Sequence, residues 1–204
     1  MASLNSPLPL VIASGNAGKI KEFQRLLADL PVQVLSQPPG MEVEESGDSF
    51  AANARIKAEA VALRTGHWAL ADDSGLAVAA LHGAPGIQSA RYAENDQLRN
   101  ERLLRELATA LQLQPQLDRR GRFVAALALA NPNGCTVLEV EGYCEGEILE
   151  QPRGEGGFGY DPLFLVPEVG LSFAEMEPGL KQRLGHRGKA MALLIPQLKN
   201  LLAA

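Results

Sequence analysis

The stretch LPLVIASGNAGK, residues 8–19, carries the strongest indication of the fold. Residues 8–13 form a short apolar run that is typical of a buried strand, and Ser14-Gly15-Asn16 is typical of a tight loop. The residues that follow place an apolar face at helical spacing: Ile20, Phe23, Leu26, Leu27 and Leu30. Pro31 ends that pattern before a second apolar run over residues 32–35. This order predicts a strand–loop–helix–strand unit, as found in α/β proteins.

The remainder of the chain continues to alternate between strand-like and helix-like patterns. Helices are predicted over residues 50–65, 95–111 and from 189 onward. Strands are predicted over residues 68–71, 123–130, 135–148 and 163–166. The first of them ends on Asp72 and Asp73, and residues 74–81 are predicted to continue as extended chain. A turn signal at residues 131–134 joins two of these strands into a long hairpin. The pattern indicates an α/β protein with a mixed sheet.

The composition is that of an ordinary globular protein, with 204 residues, 46% hydrophobic and 21% charged. We expect a single domain over residues 1–204, in one body or two closely joined lobes. The net charge of −5, without any Lys/Arg block, argues against binding of polymeric nucleic acid. No apolar run approaches the ~20 residues of a membrane span and no targeting signal stands out, so we expect a cytoplasmic protein with no membrane partner. Cys135 and Cys144 are expected to be ordinary thiols.

The loop SGNAGK, residues 14–19, has the composition of a phosphate-binding turn. Small residues allow backbone N–H groups to point inward, the following helix N-terminus adds a partial positive charge, and Lys19 adds a full one. The loop is not a P-loop, because only two residues separate Gly15 from Gly18 and Ile20 follows the lysine. A plain turn with a solvated lysine would have the same sequence.

Two pairs of adjacent acids could supply oxygen ligands for a metal ion. Glu44-Glu45 lie in a polar loop, and Asp72-Asp73 lie at the predicted strand end. Mg²⁺ takes one or two carboxylates, keeps several waters and bridges to substrate phosphates. Adjacent acids after an apolar strand repel one another unless a cation lies near them, which makes Asp72-Asp73 the more informative pair. For the glutamates a solvated loop is the commoner explanation.

Two further stretches could bind a planar base. GEGGFGYD, residues 154–161, combines bare backbone with two aromatic rings and an acid, so that one ring could stack on a base while peptide groups or Asp161 read its edge. A glycine-rich hairpin packed by its own aromatics would look the same. Lys181, His186 and Arg187 add three donors in a stretch of loop character, for which a solvated helix end is the alternative.

Six segments, in this order along the chain, resemble the inosine triphosphate pyrophosphatase family, also called the Ham1 or RdgB-like dITP/XTP pyrophosphatases. The segments are SGNAGKIKEF, EESGDSFAANARIKA, ADDSGLAV, GAPGIQSARYA, GEGGFGYDPLF and GHRGKAM. The resemblance spans almost the whole chain. One residue departs from it, because Gly185 precedes His186-Arg187 where the family usually has a serine.

The resemblance implies an elongated mixed β-sheet flanked by helices, with two lobes around a central substrate cleft, and usually a homodimer. It implies that Glu45 and Asp73 ligate Mg²⁺ and that Asp73 is also the proton acceptor. The implied phosphate-binding residues are Ser14, Gly15, Asn16, Ala17, Gly18 and Lys19. The implied nucleotide contacts are Ser74, Phe158, Gly159, Tyr160, Asp161, Lys181, His186 and Arg187, with Asn53 and Lys57 as supports.

The implied activity is Mg²⁺-dependent hydrolysis of ITP, dITP or XTP to the monophosphate and pyrophosphate, which removes deaminated purines from the nucleotide pool. Donors such as His186 and Arg187 would pair with the 6-oxo group of these bases and would face another donor in adenine. Two alternatives stay open on the sequence alone. One is a Maf-like pyrophosphatase for dTTP or UTP, and the other is a nucleotide sensor that binds without turnover.

Overall fold

The structure, a computed structural model, describes residues 7–203. The strands are β1 Leu8–Ala13, β2 Val32–Ser36, β3 Trp68–Val78, β4 Arg120–Ala130, β5 Thr136–Ile148, β6 Phe164–Val166 and β7 Leu171–Ser172. The helices are α1 Ala17–Leu26, α2 Phe50–Thr65, α3 Asp96–Leu113, α4 Pro178–Leu184 and α5 His186–Ala203. Short 3-10 segments lie at Ala79–Leu81, Gly86–Arg91 and Asp161–Leu163.

The strands form one sheet of seven, in the order β2-β1-β3-β4-β5-β6-β7. β1 pairs in parallel with both β2 and β3, whereas β5, β6 and β7 pair in antiparallel fashion. β4 and β5 are neighbours joined by a tight turn, in which Asn131 N donates to Cys135 O at 3.0 Å. The predicted α/β fold with a mixed sheet is therefore confirmed. Within residues 7–203 no helix is both long and apolar enough to cross a membrane.

The chain forms two compact units. The first takes in the chain up to Asp73, Ala126–Glu141 and the chain from Ala190 onward. Its core is rich in small side chains, because α2 buries Ala54, Ala58, Val61 and Ala62 with Val11 and Ala13 of β1. Helix α2 begins at the cap Ser49, whose Oγ accepts from Ala52 N, and ends at Gly66 in the left-handed region. The small side chains let α2 lie close to the strands.

The second unit comprises Ser74–Ala125 and Gly142–Lys189. Its core uses larger side chains: Phe123 of β4, Phe164 of β6 and Phe173 pack with Leu103 and Leu107 of α3. Phe123 meets Phe164 edge to face with ring centroids 4.7 Å apart, and it stacks on Phe173 at 5.4 Å. Aromatic pairs at these distances contribute packing beyond the area they bury.

Several predicted boundaries need correction. The strand predicted to end at Ala71 runs on to Val78, so Asp72 and Asp73 lie inside β3. The strand continues because Leu76 and Val78 beyond the acids are buried core residues. Its pairing with β1 nevertheless stops at Ala71, opposite Ala13, so the two acids lie directly past the end of β1.

The helices also differ in extent from the predicted patterns. Helix α1 ends at Leu26, and the apolar spacing that continues to Leu30 belongs to a turn whose Leu27 and Leu30 are still buried. Helix α5 begins three residues before its predicted start, and α4 was not predicted. Burial therefore preserves an apolar pattern beyond the end of a helix, which sequence spacing alone does not reveal.

Candidate functional site

The loop predicted to bind phosphate lies between β1 and α1 in the first unit. Asn16 is the N-cap of α1, and its Oδ1 accepts from the backbone N–H of Gly18 at 2.8 Å and of Lys19 at 3.1 Å. Ser14 Oγ accepts from Asn16 N at 3.1 Å. The helix N-terminus is therefore present as expected, but a phosphate there would compete with the Asn16 side chain for two of its amides.

Lys19 is directed toward the acidic pair. Its Nζ lies 3.3 Å from Asp72 O and 3.4 Å from Asp72 Oδ2, and its side chain is only 15% exposed. A lysine in the first turn of α1 and a carboxylate just past the end of β1 are thus held together. This contact places a positive charge beside the loop, as the sequence pattern of residues 14–19 indicates.

Glu45 and Asp73, the predicted metal ligands, are brought together by one lysine of α2. Lys57 Nζ donates to Glu45 Oε1 at 2.7 Å, to Asp73 Oδ1 at 2.8 Å and to the backbone oxygen of Asp72 at 3.1 Å. Asn53, one turn earlier on the same helix face, lies with Nδ2 3.3 Å from Asp73 Oδ2. The two predicted supports from α2 therefore both contact Asp73.

Burial and charge act in opposite directions on this cluster. Burial raises the pKa of the Asp73 carboxyl, and although Lys57 acts to lower it, the net pKa lies above the usual value. Burial also acts to lower the pKa of Lys57, but attraction by Asp73 and Glu45 outweighs it and the pKa is raised. Lys57 thus stays charged, while Asp73 is a stronger base than an exposed aspartate.

The donor set of this cluster fits magnesium. Within residues 7–203 no group of three or more His, Cys, Asp or Glu side chains is placed to hold a metal ion. Two carboxylates, Glu45 and Asp73, share one cationic partner and therefore lie close to each other. A pair of carboxylates, completed by water and phosphate oxygens, suits Mg²⁺ and does not supply the nitrogen or sulfur ligands that are common at zinc sites.

The glycine-rich loop lies in the second unit and is held by its own acid. Asp161 Oδ2 accepts from Phe158 N at 2.8 Å and from Lys181 Nζ at 2.6 Å. Gly157 has φ +75, and a Cβ on it would lie 2.0 Å from Asp161 Oδ2, so this turn admits only glycine. Lys181 Nζ also lies 5.0 Å from the centre of the Phe158 ring. Three predicted nucleotide contacts thus form one group.

Tyr160 is bound within the protein. It is buried, and its hydroxyl donates to the backbone oxygen of Ser89 at 3.0 Å. Burial raises the pKa of this hydroxyl, so it remains a proton donor over the physiological range. The geometry therefore assigns Tyr160 an anchoring contact, while the half-buried Phe158 is the aromatic ring of the loop that remains partly accessible.

The expectation that His186 and Arg187 lie in a loop is wrong. They are the first two residues of α5 and are only 5% and 3% exposed. Arg187 Nη2 donates to Ser74 Oγ at 3.0 Å, so two predicted nucleotide contacts touch each other. The His186 ring stacks on Phe123 with centroids 4.7 Å apart and planes 11° apart. Phe123 was not predicted as a site residue, because a phenylalanine in an apolar strand indicates only a position in the hydrophobic core.

Gly185 occupies the position at which the resembled family usually has a serine, and an added side chain would contact the backbone of α4. Its φ of −73 suits any residue, but a Cβ would lie 2.5 Å from the Lys181 carbonyl oxygen. The sequence alone favours tolerance of Gly185→Ser. The structure instead leads us to expect a loss of about 1–3 kcal/mol in the free energy of unfolding, as for other overpacked sites, and a displaced Lys181 that weakens nucleotide binding.

Thermal melts and the KM for a nucleotide check this expectation against Gly179→Ser. Gly179 lies in the same helix, α4, and a Cβ there would have nothing within 4 Å. Gly185→Ser should lower the melting temperature and raise KM, and Gly179→Ser should change neither. Equal melting temperatures for the two variants would show that the backbone of α4 yields to the serine at little cost.

The chain is similar in sequence to known proteins over nearly its whole length. The model of the Ham1 family matches residues 10–197. The dITP/XTP pyrophosphatase of Parasynechococcus marenigrum (strain WH8102) is 59% identical over 195 residues, which cover 96% of this chain and 97% of the relative. The dITP/XTP pyrophosphatase of Nostoc sp. (strain PCC 7120) is 50% identical and covers 96% of each chain.

Solved structures agree with these relatives. A HAM1 protein from Coxiella burnetii superposes with a TM-score of 0.85 at 42% identity, covering 95% of this chain and 99% of the other. A nucleoside-triphosphatase / dITP/XTP pyrophosphatase from Mycobacterium abscessus gives a TM-score of 0.70 at 40% identity, covering 93% and 100%. The match in sequence extends over nearly the full length of every one of these proteins. The chain belongs to the Ham1 family.

Proposed function

We propose that this protein hydrolyses deaminated purine nucleoside triphosphates, ITP, dITP and XTP, to the monophosphate and pyrophosphate. The observation that carries the proposal is the pair formed by the buried Asp73 and the partly buried Glu45, joined by Lys57. Relatives at 50–59% identity bear the name dITP/XTP pyrophosphatase, which supports this choice of substrates. By removing such nucleotides the protein would cleanse the nucleotide pool.

The loop between β1 and α1 binds the phosphates in this proposal. Lys19 supplies a positive charge, and the loop of residues 14–19 supplies backbone N–H groups at the start of α1. Lys19 is already held near Asp72, so little side-chain freedom is lost when a phosphate binds. Positive charge at this point stabilises the negative charge that develops on the departing pyrophosphate.

Asp73 accepts the proton of the water that attacks the α-phosphorus. Asn53 and Lys57 hold the Asp73 carboxylate from two sides, which fixes its position as the proton acceptor. Glu45 and Asp73 would hold Mg²⁺, which would supply positive charge for the substrate's phosphates and the leaving group. Lys57 then balances the remaining negative charge of the two carboxylates.

The glycine-rich loop and the start of α5 contact the base in this proposal. Phe158 offers a ring face for stacking, and His186 and Arg187 offer donors for a 6-oxo group. Adenine has a 6-amino donor at this position, so a buried donor of the protein would be left facing another donor. The stacking of His186 on Phe123 fixes the plane of its ring, which favours one base orientation.

A substrate panel tests the proposal. With Mg²⁺ present, we expect kcat/KM for ITP, dITP and XTP to exceed that for ATP by at least ~100-fold, because a donor-lined site rejects the wrong base edge. Pyrophosphate should be the first product, and orthophosphate as the first product would indicate attack at the γ-phosphorus. Preferred turnover of dTTP or UTP would point to Maf-like chemistry. Binding of ITP without pyrophosphate release would point to a sensor.

We further propose that the protein works in the cytoplasm as a homodimer. The family that the chain resembles is usually homodimeric, which supports this assembly. Light scattering coupled to size-exclusion chromatography measures the assembly, for which we expect twice the chain mass of 21.8 kDa.

A further inference from the structure

Helix α3 forms hydrogen bonds with both the backbone N–H and the backbone C=O of one residue in the glycine-rich loop. Gly159 N donates to Asp96 Oδ2 at 2.7 Å, and Asn100 Nδ2 donates to Gly159 O at 3.1 Å. Asp96 and Asn100 are four residues apart, so their side chains lie on the same face of α3. Both polar groups of Gly159 are thus bonded to a single helix face, which we call the α3 clamp.

The clamp holds a conformation that the loop does not strongly favour by itself. Gly159 has φ +63, a left-handed value that glycine reaches readily but that glycine also leaves readily. Four of the residues over 151–160 are glycines, so the segment has high conformational freedom before it is bound. Two hydrogen bonds to a rigid element restrict this freedom.

The helix that carries the clamp is well anchored. Asn95 caps α3 by accepting from Leu98 N at 2.9 Å, and Leu103 and Leu107 are fully buried in the core of the second unit. Asp96 is further held by Arg99, whose Nη1 lies 2.7 Å from Asp96 Oδ1. The clamp therefore transmits the rigidity of a packed helix to a glycine-rich loop.

We propose that Asp96 and Asn100 are positioning residues for the nucleotide base. By fixing Gly159 they set the placement of Phe158 on one side and of Asp161 on the other. This inference rests on the proposed function, in which the loop binds the base. Loss of the α3 clamp lowers the fraction of molecules in which the loop has the conformation that binds the base. The apparent affinity for the nucleotide falls in the same proportion.

The expected kinetic signature is a change in KM with little change in kcat. The clamp contacts the loop and not the phosphates, so it contributes equally to binding of substrate and of transition state. We expect Asp96→Ala and Asn100→Ala to raise KM for ITP by about 5–10-fold while kcat stays within about twofold of the wild-type value. A merely structural role would lower the melting temperature and leave KM unchanged.

Conservative and neutral variants separate the hydrogen bond from the ion pair. Asp96→Asn loses the charge that pairs with Arg99 but keeps an oxygen that accepts from Gly159 N, so it should restore KM toward the wild-type value. Gln97→Ala is the matched control, because Gln97 is an exposed residue of the same helix whose side chain bonds only Glu101 among the contacts described for residues 7–203. It should leave KM, kcat and the melting temperature unchanged.

Hydrogen exchange measured by mass spectrometry tests the clamp without any nucleotide. Amides over residues 154–161 should exchange several-fold faster in Asp96→Ala and Asn100→Ala, and at the wild-type rate in Gln97→Ala. Unchanged exchange in both alanine variants, or faster exchange with an unchanged KM, would overturn the inference. A wild-type protein that releases no pyrophosphate from ITP would reject the proposed function and the nucleotide part of this inference, while exchange would still decide whether α3 holds the loop.

Discussion

Asp73→Asn should lower kcat for ITP by about 100-fold or more, the scale expected for loss of a general base. The substitution keeps the size of the side chain and removes the charge that proton acceptance and metal ligation both require. Added Mg²⁺ should restore little activity, because a higher metal concentration replaces a weakened ligand but not a missing base. Pyrophosphate release measured across a magnesium titration provides the test.

The structure changes the expected effect of this variant on stability. From the sequence, removal of one of two adjacent acids relieves repulsion. In the structure Asp73 is an ion-pair partner of the partly buried Lys57, so its loss should cost about 1–3 kcal/mol of unfolding free energy instead. Glu139→Gln is a suitable control, since Glu139 forms an exposed ion pair with Arg55. Near-normal kcat in a folded Asp73→Asn protein would move the base to Asp72 or Glu45.

Lys57→Met should produce the largest loss of stability among single changes in this cluster. The methionine keeps much of the length of the side chain but leaves Glu45 and Asp73 facing each other without their shared cation. Without metal, we expect the free energy of unfolding to fall by about 3 kcal/mol, as for a broken buried ion pair. Mg²⁺ should raise the melting temperature of the variant more than that of the wild type, because the ion replaces the lost positive charge.

Arg55→Met is the matched control for that experiment. Arg55 lies on the same helix, and its ion pair with Glu139 is exposed on both sides, so its loss should change stability little. Thermal melts of the three proteins with and without Mg²⁺ supply the comparison. If Mg²⁺ raised all three melting temperatures equally, Glu45 and Asp73 would not be its ligands.

Local sequence patterns predicted the elements whose signals are complete within a few residues. β1 is observed at Leu8–Ala13, where its apolar run ends in Ser-Gly-Asn, and α2 at Phe50–Thr65, where Ser49 and Gly66 mark both ends. α4 was missed because it has only seven residues and contains no buried side chain. Only Leu180 and Leu184 of α4 pack against the core, and two apolar residues in two turns are too few to mark a helix by their spacing.

The sequence predicted which residues belong to the candidate site better than it predicted the contacts among them. The role of Lys57 as a bridge could not be derived, because its partners Glu45 and Asp73 are 12 and 16 residues away on a loop and a strand. The burial of Arg187 was likewise hidden, since its hydrogen-bond partner Ser74 is 113 residues away. Residue types suited to catalysis or binding can be recognised in short segments of sequence. The order of the strands in the sheet decides which of these residues contact each other.

The N-cap of α1 bears on whether position 16 can be aspartate as well as asparagine. Aspartate and asparagine cap helices about equally well, so α1 itself does not distinguish between them. An aspartate, however, would hold a permanent negative charge against the amides of Gly18 and Lys19 and repel any incoming anion. Asparagine is neutral, and rotation of its amide turns an acceptor into a donor. Asn16 therefore caps α1 without adding a negative charge to the loop for which we propose phosphate binding.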